Sequence, residues 1–227
     1  MTADRTIAVG RIAKAFDRAN REGRSALVIY LCAGDPDLST TVDLVVGAAE
    51  AGADVIELGM PFSDPTADGV TIQRASERSL RGGTTMDGVL GVVAEVRKRS
   101  QVPIVLFGYY NPILSRGEAR FAKEAADAGA DGVLVVDLPP SEAESFHREV
   151  VSAGLDYIPL AAPTTGDWRL ELIGDLATSF IYYVSVTGVT GSAGVDMAAA
   201  AERAAHVRQR TGKPIAVGFG VRSADDV

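Results

Sequence analysis

Three near-copies of one short phrase constrain this chain more than any other feature. Ala51-Gly52-Ala53-Asp54 runs into VIEL, Ala128-Gly129-Ala130-Asp131 into GVLVV, and Ala153-Gly154-Leu155-Asp156 into YIPL. Each phrase closes an apolar-periodic stretch with a glycine, the residue suited to the left-handed position just past a helix. Each then turns within a couple of residues into a short apolar strand. This is the α-to-β joint of a βα repeat, present three times.

The intervening segments carry the 3.6-residue period of buried helix faces. Val42, Val45, Val46 and Ala49 make one stripe, and Met86, Val89, Val93 and Val96 another. Ser141 and Glu144 have the spacing of a capping box ahead of Phe146 and Val150. The strands are short continuous apolar runs, as expected where both faces of a parallel sheet are covered. They lie near 26–33, 55–58, 104–107, 132–136, 156–160, 180–184 and 215–217. No low-complexity or Pro/Ser-rich linker separates them, so one domain over 1–227 is expected.

Alternating strands and helices give an α/β fold with a parallel sheet. A doubly wound sheet usually carries a G-x-G-x-x-G fingerprint after its first strand. Here the first strand runs into CAGDPD, which lacks it. The repeat is therefore expected to close as a (β/α)8 TIM barrel. Seven strands in 227 residues, against the eight strands and about 250 residues usual for a barrel, leave an eighth βα unit expected beyond Val227.

In such a barrel the loops after the strands form the active face. They are GDPD (34–37), GMPFSDPTADG (59–69), GYYNP (108–112), DLPP (137–140), APTTGD (162–167), TGVTGSAG (187–194) and GFGVRS (218–223).

Composition narrows the function. A net charge of −8 argues against nucleic acid, which requires a basic face. A small phosphorylated ligand remains compatible, because backbone N–H groups hold phosphate without lysine. The two histidines, His147 and His206, have no His or Cys at ligand spacing and read as exposed helix residues, so no metal is expected. The longest apolar run, Ala26 to Ala33, is far shorter than the roughly 18 residues of a membrane span. No apolar targeting segment opens the chain. The single cysteine, Cys32, excludes an internal disulfide and fits a reducing cytoplasm.

Within this frame one strand is anomalous. Glu57 sits among Val55, Ile56 and Leu58. If Val55 and Glu57 face the interior, the carboxyl points up into the mouth. Desolvation there would raise its pKa and suit it to acid–base work near neutral pH. The loop that follows adds two further acids, Asp64 and Asp68, either of which alone reads as a turn former. Tyr30, Phe107, Tyr109 and Tyr182 lie in or just after strands and can line a pocket for a flat apolar ring. The glycines of GVTG (188–191) and GFG (218–220) follow the sixth and seventh strands, where barrels often bind phosphate.

These stretches resemble the tryptophan synthase alpha chain family. The match rests on ADVIELGMPFSDPTADGVTIQ (53–73), YLCAGDP (30–36), GYYNPI (108–113), VLVVDLP (133–139), YYVSVTGVTG (182–191) and VGFGVR (217–222). The resemblance implies a lyase that cleaves indole-3-glycerol phosphate to indole and glyceraldehyde 3-phosphate. It implies Glu57 as general acid–base and Asp68 as second catalytic acid. It also implies substrate contacts at Tyr30, Phe107, Tyr109, Tyr182, Thr190, Gly191 and Gly220, with no metal and no cofactor in this chain. The implied partner is a beta chain, which uses pyridoxal phosphate, in an alpha2-beta2 complex. Where the family commonly has Leu and Pro, this chain has Thr66 and Val70, which is expected to loosen the loop carrying Asp68. Two other readings of the same residues fit less well. Another metal-free phosphosugar barrel of the synthase kind would want a strand-end lysine, and none of the expected strands contains one. A non-catalytic subunit that activates a beta chain would have no reason to keep both Glu57 and Asp68.

Overall fold

The computed structural model describes residues 10–184 and 197–218, with no side-chain description for residues 197 and 198. In chain order the elements are α1 (Arg11–Arg21), β1 (Val28–Cys32), α2 (Leu38–Glu50), β2 (Val55–Gly59), α3 (Val70–Arg81), α4 (Met86–Arg97), β3 (Ile104–Gly108), α5 (Tyr110–Arg116) and α6 (Glu118–Ala128). Then follow β4 (Gly132–Val135), a 3-10 turn at Pro140–Glu142, α7 (Glu144–Ser152), β5 (Asp156–Ile158), β6 (Leu160–Ala161), α8 (Asp167–Leu176), β7 (Ile181–Val184), α9 (Met197–Thr211) and β8 (Ile215–Gly218). Every strand pairing is parallel, in the orders β1-β2-β3-β4-β5 and β6-β7-β8.

The expected stave at 156–160 is divided at Pro159, which has no N–H to give to a ladder. Its first half, β5, pairs with β4, and its second half, β6, pairs with β7. The Pro159 carbonyl still accepts from Tyr182 N–H at 3.0 Å, so the stave bridges the two ladders.

Side chains alternate between two layers, as strand geometry requires. Ile56, Leu58, Ile104, Leu106 and Val133 pack outward against Val45, Val89, Val93 and Phe121 of the helices. Val55, Val105, Phe107, Leu134, Ile158, Phe180, Tyr182 and Ala216 form one inner cluster, joined by Val28, Tyr30 and Leu160. Every stave contributes to this cluster, so the sheet wraps around it as a barrel wall. Helix α1 plugs the lower end: Ile12 and Ala15 belong to the inner cluster, and Phe16 stacks on Phe180 at 5.2 Å.

The repeated phrase works as a clasp at that lower end. Asp54 N–H donates to Leu27 O (2.8 Å) while its carboxylate accepts from Leu27 N–H (2.9 Å). Asp131 repeats this on Ile104, with both bonds at 2.8 Å. Asp156 departs from the pattern and accepts from the Thr178 hydroxyl, which in turn accepts from Tyr157 N–H. Gly52, Gly129 and Gly154 have φ of 110°, 95° and 83°, the left-handed turn that each joint needs.

Three local expectations are corrected. Ser141 is not a cap: it lies inside the 3-10 turn, and Ala143 precedes the first residue of α7 with no side-chain cap bond. GYYNP is not all loop, because α5 begins at Tyr110 and Pro112 falls in its first turn, where proline's missing N–H costs nothing. The histidines are half-buried rather than exposed: His147 packs edge-on against Tyr157, and His206 lies 3.2 Å from Asp167.

Candidate active site

Strand β2 delivers Glu57 to the inside of the barrel. Val55, two residues earlier, is in the inner cluster, and the ladder sets Glu57 between Tyr30 of β1 and Val105 of β3. The residue is 3 % exposed, and its Oε1 is buried without a hydrogen-bond partner. No salt bridge reaches it among the described residues. Burial alone therefore acts on its charge and raises its pKa from 4.5 to about 8. Near neutral pH the group is mostly a neutral acid that a modest change in surroundings can ionise.

The loop after β2 brings Asp68 to the same mouth. Thr66 N–H donates to Asp64 O at 2.9 Å, and Asp68 N–H to Pro65 O at 3.2 Å. Asp64 is exposed and accepts from Ser63 Oγ, a turn role; the half-buried acid is Asp68. Tyr109, at the end of β3, holds the loop from below: its hydroxyl accepts from Ala67 N–H at 3.0 Å. That leaves the phenolic proton free to serve Asp68. Burial raises the Asp68 carboxyl above its ordinary value, and hydrogen bonding toward Tyr109 partly offsets this. Val70 stands where proline was expected to matter. It is the first residue of α3 and 54 % exposed, and the loop is closed behind it by Gln73 Nε2 donating to Asp68 O at 2.9 Å. The loop thus keeps its anchors without the proline.

The aromatic residues divide into two groups. Tyr30 meets Phe107 edge-on at 5.3 Å, and Phe107 meets Tyr182 edge-on at 5.9 Å, giving a continuous wall inside the barrel. Tyr109 instead tilts against Phe62 of the loop at 5.2 Å. Burial raises the pKa of all three tyrosines, so their hydroxyls stay protonated. Thr190, Gly191 and Gly220 lie outside the described residues. Among the described residues no group of three or more His, Cys, Asp or Glu side chains could hold a metal ion, and no helix is long and apolar enough to cross a membrane.

Sequence reasoning missed two residues of this site. Phe62 supports Tyr109, and Gly59 leaves the space that Tyr30 occupies. Nothing local in the sequence links 62 to 109 or 30 to 59.

Comparison with known proteins decides the family. The family model described as tryptophan synthase alpha chain matches residues 16–227. The chain belongs to the tryptophan synthase alpha chain family. It is 51 % identical to the tryptophan synthase alpha chain of Dechloromonas aromatica over 217 residues, covering 95 % of this chain and 81 % of that one. Identity to the Geobacter sulfurreducens alpha chain is 50 %, covering 96 % and 82 %. Among solved structures, tryptophan synthase subunit alpha from Legionella pneumophila superposes with a TM-score of 0.88 at 38 % identity, covering 95 % of this chain and 80 % of that chain. The structure describing mutual activation of the tryptophan synthase a2b2 complex of Pyrococcus furiosus gives a TM-score of 0.81 at 42 % identity, covering 88 % and 80 %. The barrel expected from the βα repeat is thus the fold of this family, and the chain is a lyase of tryptophan biosynthesis.

Proposed function

We propose that the chain cleaves indole-3-glycerol phosphate to indole and glyceraldehyde 3-phosphate, with Glu57 as the group that moves the protons. The observation that carries this reading is a buried, unpaired and largely neutral Glu57 beneath an aromatic wall. A neutral carboxyl can donate its proton to indole C3, which places a positive charge on the ring nitrogen. The resulting carboxylate takes the proton of the hydroxyl on the adjacent glycerol carbon. That oxygen's electrons form the aldehyde C=O, the C–C bond breaks, and its electron pair returns to the ring and cancels the charge. Glu57 ends protonated, as it began. Asp68, as a carboxylate near the ring N–H, stabilises the positive charge between the two proton transfers.

Tyr109 acts as a positioning residue, because it fixes the loop that carries Asp68. Thr190, Gly191 and Gly220 are proposed to hold the phosphate through backbone N–H groups. The partner is proposed to be a beta chain that consumes the indole and carries the pyridoxal phosphate, this chain needing neither metal nor cofactor for its own step.

The test is indole release from indole-3-glycerol phosphate, with and without a beta chain. The wild type is expected to release indole, and folded Glu57→Gln to release essentially none. Release by Glu57→Gln at the wild-type rate, or none from the folded wild type under either condition, overturns the proposal.

A further inference from the structure

The mouth holds a polar group, the Tyr30 hydroxyl, for which the proposed chemistry has no use. Tyr30 faces inward on β1, beside Glu57 in the ladder. Its other inner neighbours include the apolar Val28, Val55 and Val105 and the edge of Phe107. A phenol in such surroundings ordinarily finds a hydrogen-bond partner. The Tyr30 hydroxyl exchanges a hydrogen bond with no described residue, yet it is not among the polar atoms sealed from solvent. It opens on the space of the mouth.

An absent side chain keeps it there. Gly59 lies two residues beyond Glu57, on the same face of β2. A Cβ built on Gly59 would sit 2.2 Å from the Tyr30 hydroxyl oxygen and 2.6 Å from the ring carbon that bears it. Real contacts of this kind are never so short, so any other residue at 59 pushes the phenol aside. The Gly59 backbone is not in the left-handed region that would itself call for glycine. The close approach of Tyr30 is what demands it.

We infer that Gly59 and Tyr30 together are specificity-determining residues for the ring end of the substrate. Gly59 sets how far the phenol reaches across the pocket, and the open hydroxyl gives the Tyr30 side of the wall a hydrogen-bonding group. This rests on the reading that the mouth receives an indole ring. A pocket with such a group discriminates by polarity as well as size. A ring bearing a hydroxyl on the carbon that meets Tyr30 is therefore accepted.

The experiment is calorimetric binding of indole and of 4-, 5-, 6- and 7-hydroxyindole, with indole release from indole-3-glycerol phosphate assayed in parallel. The proteins are the wild type, Tyr30→Phe, Gly59→Ala and the double variant Gly59→Ala/Tyr30→Leu. At least one hydroxyindole is expected to bind about fivefold more tightly relative to indole in the wild type than in Tyr30→Phe, the scale of one net hydrogen bond. Gly59→Ala is expected to weaken indole by at least about fivefold, and the double variant to recover part of that loss. Should Gly59→Ala fail to fold, Tyr30→Phe and the double variant carry the test.

Equal hydroxyindole-to-indole ratios in the wild type and Tyr30→Phe overturn the inference. So does wild-type indole binding by a folded Gly59→Ala, or a wild type that binds no indole. If the ring-binding pattern appears without indole release from the phosphate ester, the lyase reading fails and this inference stands. Release without the pattern does the reverse.

Discussion

Asp54 and Glu57 are three residues apart, the first just ahead of β2 and the second in its middle, and both are almost completely buried, at 0 % and 3 % exposure. Their carboxyls are driven in opposite directions. Burial alone would raise Asp54, but Arg24 and Arg18 and the Leu27 N–H more than offset it and hold the group well below the usual carboxylate range. Glu57 has burial and nothing to offset it. The lower face of the barrel spends its acids on clasps and ion pairs, and Asp131 does the same with Arg11 and Arg97. The mouth leaves its acid unpaired. The difference teaches that burial does not decide what a carboxyl does: its partners do. An unpaired buried acid costs stability, so its presence marks chemistry.

The largest effect that sharpens this comparison is on catalysis. Glu57→Gln removes the proton and keeps the shape, so kcat is expected to fall by about 10²- to 10⁴-fold in steady-state assays, with the melting temperature maintained or raised. The next effect is on stability against pH. Glu57 has a folded pKa above its unfolded value of 4.5, so the folded state favours its neutral form. Its penalty is absent below pH 4.5 and grows as pH rises toward the folded value of about 8. At about 1.4 kcal/mol per pKa unit this is up to roughly 4 kcal/mol by pH 8. Denaturant melts at pH 5 and pH 8 should therefore show the wild type losing stability relative to Glu57→Gln.

Asp54→Ala should do the opposite of Glu57→Gln: it lowers stability and leaves the chemistry of the remaining folded protein alone. Arg18 and Arg24 are half exposed and return to water, so the loss falls mainly on the orphaned Leu27 N–H, about 2 kcal/mol by chemical denaturation. Tyr109→Phe frees Ala67 N–H and removes the hydroxyl that serves Asp68. A roughly tenfold fall in kcat/KM with little change in melting temperature is expected, on the scale of one hydrogen bond to a charged group. The smallest effect is Val70→Pro. Position 70 begins α3, and Gly69 before it has φ −76° and ψ 164°, which a following proline tolerates. A gain of about 0.4 to 1 kcal/mol is expected in thermal melts.

The frame of this molecule was legible in the sequence because it rests on local signals. The glycines of the three joints, the apolar runs and the parity that puts Val55 and Glu57 on one face are all short-range. The plug helix was present as a pattern too, with Ile12, Ala15, Phe16 and Ala19 spaced for one face, although charged residues between them obscured it. What escaped depends on distant pairs. The aspartate of each repeat looked like part of a turn, but Asp54 and Asp131 reach across to the start of the neighbouring strand. Tyr109 read as one more pocket aromatic, and only the fold shows it holding a loop 42 residues away in sequence. Ser141 misled because its capping partner was right in spacing but proline turned the chain into a 3-10 turn first.

The most direct test of the account is the titration of Glu57 itself. Its side-chain carboxyl can be followed by ¹³C NMR from pH 4 to pH 10 in glutamate-labelled protein, and assigned by its disappearance in Glu57→Gln. A midpoint near 8 is the result the account predicts, from a raised value of about 8. A midpoint at or below 4.5, the value of an unperturbed glutamate, would mean that the mouth pairs its acid as the lower face does, and would contradict it.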